Sequence, residues 1–398
     1  MYRTTRSLLV LAAMLVPAAV GGAEPAAKPS SGQEIKFVMH RVGTFRSEAC
    51  CVGDFNKDGK LDIAAGPYLY LAPDWKPVKI RELKGKVDDK GKGYYSDFAN
   101  IAVDVDGDGL LDVVSCDWFA KNATWFRNPG KKEGLWEEHV IEVNGNFETA
   151  DLWDIEGKGK RTAILPAVTR TVWYEVGKLP DGKQGMLVHV VSEKPFTFGG
   201  GIGDVNGDGR PDILRPGAWY EAPADLRKGK WIEHPVSLGG KDGKIDHTAQ
   251  IWTYDVNKDG LNDILASSAH HYGIFWYEQV RKGSETTWKQ HTIDDTWTQA
   301  HSITLADLDG DGVPELLTGK RFMAHNGGDP GAFEPLGIYY YSLKRGPNPV
   351  WTKHALSYNE GVGAGMSIEV EDMNGDGRLD VITTGKFGGP VWFENQGR

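Results

Sequence analysis

Cysteine is scarce in this chain, with three residues in 398 (Cys50, Cys51 and Cys116). No C-x-x-C pair occurs, so a thiolate zinc knuckle and a disulfide scaffold are both excluded. An odd count leaves at least one thiol unpaired within the chain. A Cys50–Cys116 bridge is conceivable if their strands are neighbours. Basic residues are outnumbered, 45 Lys+Arg against 55 Asp+Glu, for a net charge of −10. That balance argues against a nucleic-acid partner, which calls for a basic face. No apolar stretch approaches the ~20 residues that span a bilayer, so stable membrane insertion is not expected. Phosphate loops, dinucleotide fingerprints and nucleophile elbows are also missing, so kinases, dehydrogenases and serine hydrolases are poor candidates.

Glycine, by contrast, is abundant: 51 residues, well above the usual ~7%. With 20 prolines it predicts frequent turns and few helices. Trp, Tyr and Phe contribute 14 each, which suits strands and an aromatic core. Residues 1–23 read as a secretory signal, with Arg3 and Arg6 before the short apolar run Leu8–Val16 and small residues at 21–23. Residues 24–34 read as a flexible leader. The protein is therefore expected to be secreted or periplasmic, and monomeric.

The remainder, 35–398, is repetitive. Seven acidic segments begin at Asp54, Asp104, Asp154, Asp204, Asp255, Asp307 and Asp372. Their spacing is 50, 50, 50, 51, 52 and 65 residues. Each period holds four strand signals. Strand A precedes the acidic loop and strand B follows it. Strand C carries an aromatic pair such as Trp125-Phe126 or Trp276-Tyr277, and strand D reads W-x-x-H-x-[IVL]. Four short strands per ~50 residues predict a seven-bladed β-propeller. The seventh copy lacks strand D, whereas Ile35–Val42 has that pattern and no blade of its own. The N-terminal strand is thus expected to complete the last blade and remove an open edge.

Six of the loops fit D-x-[DN]-x-D-G-x-x-[DE]. Oxygen donors fall at positions one, three, five and nine, and position seven can offer a backbone carbonyl. These sets are Asp54, Asn56, Asp58, Lys60, Asp62; Asp104, Asp106, Asp108, Leu110, Asp112; and Asp204, Asn206, Asp208, Arg210, Asp212. The other three are Asp255, Asn257, Asp259, Leu261, Asp263; Asp307, Asp309, Asp311, Val313, Glu315; and Asp372, Asn374, Asp376, Arg378, Asp380. Hard oxygens around a tight glycine turn suit Ca²⁺, so about six calcium sites are expected. The third copy departs: Lys158 replaces the position-five acid and Thr162 the position-nine acid, so this loop is expected to hold no metal.

These loops and their spacing resemble the FG-GAP and VCBS repeats of integrin-like propellers, over roughly 35–398. The resemblance implies calcium in the A–B hairpins and a seven-bladed ring. It leaves function open, because such propellers serve both adhesion and catalysis.

A–B and C–D loops share one face of a propeller, and B–C and D–A loops share the other. Six histidines (His40, His139, His189, His234, His291 and His354) repeat in strand D and read as structural. The remaining five, His247, His270, His271, His301 and His325, fall in B–C or D–A segments of blades 5 and 6. They are expected to converge opposite the calcium face. Asp97 and Glu148 lie in D–A segments; Trp118, Arg170, Arg215 and Arg321 lie in B–C segments. The longest B–C loop, 321–336, is a candidate rim or lid.

Two functions compete. One is a binding module for carbohydrate or protein on this face, with His270, His271, His325, Trp118, Arg170, Arg215, Asp97 and Glu148 as ligand contacts. The other is a carbohydrate-active enzyme of the polysaccharide lyase or sugar dehydratase type, with His301 or His247 as base, Tyr272 as acid and Arg321 or Arg215 as anion partner. Two or three of the five histidines could also hold a transition metal.

Overall fold

A computed structural model describes residues 34–143, 145–283 and 285–398. The signal and leader segments read from the sequence lie outside the described residues, apart from residue 34. The described chain is all-β, with two short 3-10 turns as its only helical elements. Seven antiparallel four-stranded sheets form the blades of a β-propeller.

Blade 1 comprises Cys50–Gly53, Asp62–Ala65, Tyr68–Leu71 and Lys76–Lys79. Blade 2 runs from Ala99–Val103 to Glu137–Val143, blade 3 from Ala150–Trp153 to Gln184–Ser192, and blade 4 from Gly201–Gly203 to Ile232–Pro235. Blade 5 spans Trp252–Tyr254 to Glu285–Thr298 and blade 6 Ala300–Ala306 to Val350–Tyr358. Blade 7 joins Ile368–Glu371, Asp380–Thr383 and Gly389–Asn395 to the N-terminal strand Phe37–Phe45. The closing pairs run from Phe37 opposite Asn395 to Arg41 opposite Val391, so the ring closes as the sequence predicts.

The strand-D histidines have a physical reason. Each lies directly opposite a strand-C aromatic and stacks on it: His40 on Trp392, His139 on Trp125, His189 on Trp173, His234 on Trp219, His291 on Trp276 and His354 on Tyr340. Centroid separations are 4.0–4.5 Å. Cross-strand pairs of this kind fix register, because a one-residue slip would turn every ring to the other face. The three cysteines are buried and free, so the conceivable Cys50–Cys116 bridge does not form.

Strands A line the central channel. At its B–C/D–A end the channel is crossed by Met366, whose carbonyl accepts from Thr149 Oγ1 of blade 3 (3.2 Å) and from Gln250 Nε2 of blade 5 (3.2 Å). Further along, Glu369 of blade 7 faces Asp151 of blade 3, with Arg161, Glu371 and Ser367 around it. Burial, followed by the Asp151 charge, pushes Glu369 up to about 8. The folded state therefore holds a proton that the unfolded chain releases above the ordinary carboxylate range. Stability contributed by this group is present at low pH and declines as pH rises toward 8. Glu369→Gln is expected to flatten that decline, so that the variant melts above wild type at pH 8 and close to it at pH 5. Parallel melting curves across this range would refute the assignment.

Candidate functional site

Each acidic loop folds around its first aspartate, which accepts backbone N–H groups from the turn. Asp54 accepts from Asp58 (3.1 Å) and Gly59 (2.9 Å), and Asp104 from Gly107 (2.8 Å) and Gly109 (2.9 Å). Asp204, Asp255, Asp307 and Asp372 repeat the pattern. The position-five carboxylates, Asp58, Asp108, Asp208, Asp259, Asp311 and Asp376, accept from the backbone N–H of position seven: Lys60, Leu110, Arg210, Leu261, Val313 and Arg378. Where position three is Asn56, Asn206, Asn257 or Asn374, its amide donates to the position-five acid. One oxygen from each of Asp104, Asp106 and Asp108 lies within 4.8 Å of the others, and Asp307, Asp309 and Asp311 do the same.

The position-nine acids open strand B and are buried. Asp62 accepts from Phe55 N (3.2 Å) and Ala72 N (2.9 Å); Asp112, Asp212, Asp263 and Asp380 bridge the same two segments of their own blades. Glu315 accepts from Leu308 N (2.9 Å). Burial pushes Asp62, Asp112 and Asp263 up to about 6, and Asp212 and Glu315 to about 7. The five aspartates staple the loop to the end of strand C while facing the acids of the turn.

Arginines also meet these loops. Arg127 pairs with Asp106 and Asp108, Arg210 with Asp208, Arg345 with Asp255, Arg378 with Asp376, and Arg398 with Asp309 and Asp311. Among the described residues, no arginine reaches the acids of the blade 1 loop. In blade 3, Lys158 Nζ sits 2.7 Å from Glu156 and Arg227 3.1 Å from the same carboxylate. That loop carries Lys158 where the others carry acid, and blade 4 lends it Arg227.

The opposite face gathers four of the five singled-out histidines. Glu148, from the segment entering blade 3, is 7% exposed and lies at their centre. Its oxygens are 3.6 Å from His270 Nε2, 3.9 Å from His301 Nε2 and 3.9 Å from His247 Nδ1. His270 also stands edge-on to His325, with ring centroids 4.4 Å apart. His325 Nδ1 lies 2.8 Å from Asp329 Oδ1. His301 is the second residue of its strand A and is 1% exposed. The fifth, His271, stands apart, exposed and 3.8 Å from Asp246.

The electrostatics follow from burial. Burial raises the Glu148 pKa, but His270, Arg321 and His247 outweigh it and hold the carboxyl below its ordinary value. Burial lowers His247 despite the pull of Glu148. Burial, Arg321 and His270 push His301 well below the usual imidazole range. Burial thus favours the neutral forms of His247 and His301 beside a carboxyl held toward its ionised form.

The remaining candidates are engaged elsewhere. Arg321 is buried and forks onto Glu48 at 2.9 and 3.2 Å, with its charge raised in stability by that pair. Arg215 is buried and donates to the carbonyls of Pro166, Val168 and Thr197; burial lowers it to about 10. Asp97 is buried against Arg81 (2.6 Å), Ser47 and Asn100. Arg170 pairs with Glu142 and Glu193. Tyr272 donates to Glu334 at 2.5 Å, an interaction that raises the phenol pKa.

A cavity of about 930 Å³ opens beside the centre, with Glu148, His325 and Arg321 in its wall. Its other walls are largely aromatic: Tyr94, Phe98, Trp118 and Phe119. Trp118 packs at a tilt against Phe198 (centroids 4.6 Å apart), which stacks on His247 (5.4 Å), so the aromatic wall continues into the histidine cluster. A hairpin, Gly85–Val87 with Gly93–Tyr95, forms one side of the cavity and has no counterpart in the other blades among the described residues. Gly93 is required there: its φ is +93°, and a Cβ would lie 2.2 Å from the Lys86 carbonyl oxygen.

Residues 255–318 match the FG-GAP-like repeat, from the blade 5 acidic loop to strand B of blade 6. The chain is a seven-bladed β-propeller that carries an FG-GAP-like repeat. No curated protein matches the chain. Solved structures with a similar fold include selenomethionine-substituted virginiamycin B lyase from Staphylococcus aureus, at 11% identity and TM-score 0.50, covering 90% of this chain and 99% of that one. The V. cholerae biofilm matrix protein Bap1 is similar at 12% identity and TM-score 0.40, covering 90% and 91%. BBS1N, in complex with ARL6DN, is similar at 10% identity and TM-score 0.49, covering 90% and 96%. At these identities the likeness is one of fold. No helix among the described residues is long and apolar enough to cross a membrane.

Proposed function

We propose that this propeller is an exported, calcium-stabilised binding protein that takes a carbohydrate in the aromatic cavity opposite its acidic loops. The observation that carries this reading is the cavity itself: about 930 Å³, walled by Tyr94, Phe98, Trp118 and Phe119, with Glu148 and His325 among its polar groups. Aromatic faces with a few convergent polar groups suit a sugar ring. Export is supported by the signal-like segment 1–23, and calcium by the hard-oxygen sets of the six loops.

Binding is favoured over turnover by the partners of the catalytic candidates. Arg321 is saturated by Glu48 and the Tyr272 hydroxyl is held by Glu334, so neither is free to serve as anion partner or acid. The test is calorimetric titration with uronate-containing and neutral oligosaccharides, run alongside an assay for unsaturated products. Trp118→Ala is expected to weaken glycan binding about 10-fold, or ~1.4 kcal/mol, without lowering the melting temperature. A panel in which no glycan binds, or a Trp118→Ala protein that binds as wild type, would refute the reading. Unsaturated product would establish the lyase alternative.

A further inference from the structure

We propose that Glu148, His247 and His270 form a site for one divalent transition-metal ion, zinc-like in its donor set, distinct from the acidic loops and open toward the aromatic cavity. One oxygen of Glu148 and one nitrogen of each histidine lie within 4.8 Å of one another. His247 Nδ1 and His270 Nε2 are buried and have no hydrogen-bond partner, although each points at Glu148. At 3.9 and 3.6 Å these separations are too long for hydrogen bonds. They are close to the spacing of two ligands on one tetrahedral ion, about 3.3–3.6 Å for bonds of about 2.0–2.2 Å.

Orphaned buried polar atoms demand an explanation, and three of them converge here. The third is His301 Nε2, on a side chain 1% exposed and 3.9 Å from Glu148. Its distance from the same carboxylate places it where it can accept a hydrogen bond from a water on the ion. Two imidazoles and one carboxylate form a borderline-soft set that suits zinc and its neighbours rather than calcium. The remaining coordination positions are what a ligand would use.

The set is rigidly held. The Glu148 N–H donates to the Ala167 carbonyl (3.0 Å), and the Ala269 N–H donates to the His247 carbonyl (3.0 Å). That second bond ties the segment of His247 to the loop that carries His270. Phe198 stacks flat on His247, and Asp329 orients His325 against His270. A metal here would present open positions to the hydroxyl or carboxylate oxygens of a sugar lying on the aromatic wall; this ligand class rests on the carbohydrate reading above, whereas the metal site does not.

The test is titration of the full mature chain, in excess calcium and without sugar, with Zn²⁺ by calorimetry and with Co²⁺ by visible absorption. One equivalent of Zn²⁺ is expected to bind, and Co²⁺ to give the intense visible band of a low-symmetry site with imidazole ligands. Glu148→Gln and His270→Ala are each expected to weaken Zn²⁺ binding at least about 100-fold, since loss of a group that merely orients a ligand already costs about 10–100-fold. His271→Ala, which alters a histidine outside the cluster, is expected to bind as wild type. No Zn²⁺ uptake beyond the calcium background, or equal affinity in Glu148→Gln, would overturn the proposal. If both variants fail to fold, the wild-type Co²⁺ spectrum decides: a weak, purely oxygen-ligated spectrum also overturns it. Zn²⁺ binding without glycan binding would keep the metal site and remove only the sugar.

Discussion

Deletion of Ile35–Phe45 is expected to yield a chain that does not accumulate as a soluble, folded monomer. The deleted strand supplies the whole outer edge of blade 7, paired with Gly389–Asn395. Ile35 is 5% exposed, and its N–H donates to the Tyr340 hydroxyl of blade 6 at 3.1 Å. The segment therefore links two blades. Burying one isoleucine stabilises by roughly 1.5–3 kcal/mol. Loss of the stack of His40 on Trp392 and of Phe37 against Tyr340 adds to that. The sum approaches the ~5–15 kcal/mol that holds an ordinary domain together. The exposed strand C would also offer its unpaired N–H and C=O groups to other chains. A deletion protein that remains monomeric and melts as wild type would show that the ring does not depend on this closure.

Chelation is expected to have the second-largest effect, a marked fall in melting temperature. Without its first 23 residues the chain loses Arg3 and Arg6, so its formal charge is 43 − 55 = −12. Twenty carboxylates are packed into six loops, and six Ca²⁺ would bring the charge to zero. A ligand that binds only the folded form at a hundredfold excess over its dissociation constant stabilises by about 2.7 kcal/mol per independent site. Arginines already neutralise part of five loops, so those loops should lose less on chelation than the blade 1 loop does. Asp58→Ala is accordingly expected to remove one equivalent from the calcium stoichiometry and to lower the melting temperature in calcium. Lys158→Ala should leave the stoichiometry unchanged. Identical melting with calcium and with chelator would dismiss calcium as the stabilising ion.

The blade count, the strand order and the closure were legible because each rests on a local pattern repeated at a fixed interval. The convergence of His247, His270, His301 and His325 was also legible, since loop type assigns a residue to a face and neighbouring blades bring those loops together. What was not legible depends on single, non-repeating contacts. The partner of Arg321 is Glu48, 273 residues away, and no local feature marks that pair. The stacking of strand-D histidines on strand-C rings required the register, although the matched repetition of His and aromatic in six of the seven blades was a signal for it. Glu148 stood among many polar loop residues; only its burial among three unpartnered imidazole nitrogens sets it apart.

The closing strand has a mechanical consequence. Phe37 lies opposite Asn395, and Lys36 N–H donates to the Gly397 carbonyl at 3.0 Å, so both ends of the described chain leave blade 7 at the same corner. Tension applied through the two ends would load these hydrogen bonds one after another, as in opening a zip, rather than all at once in shear. The ring would open at blade 7 under small force, while its other six blades stayed folded. A tether placed instead at two distant D–A loops would pull across intact sheets and meet far greater resistance.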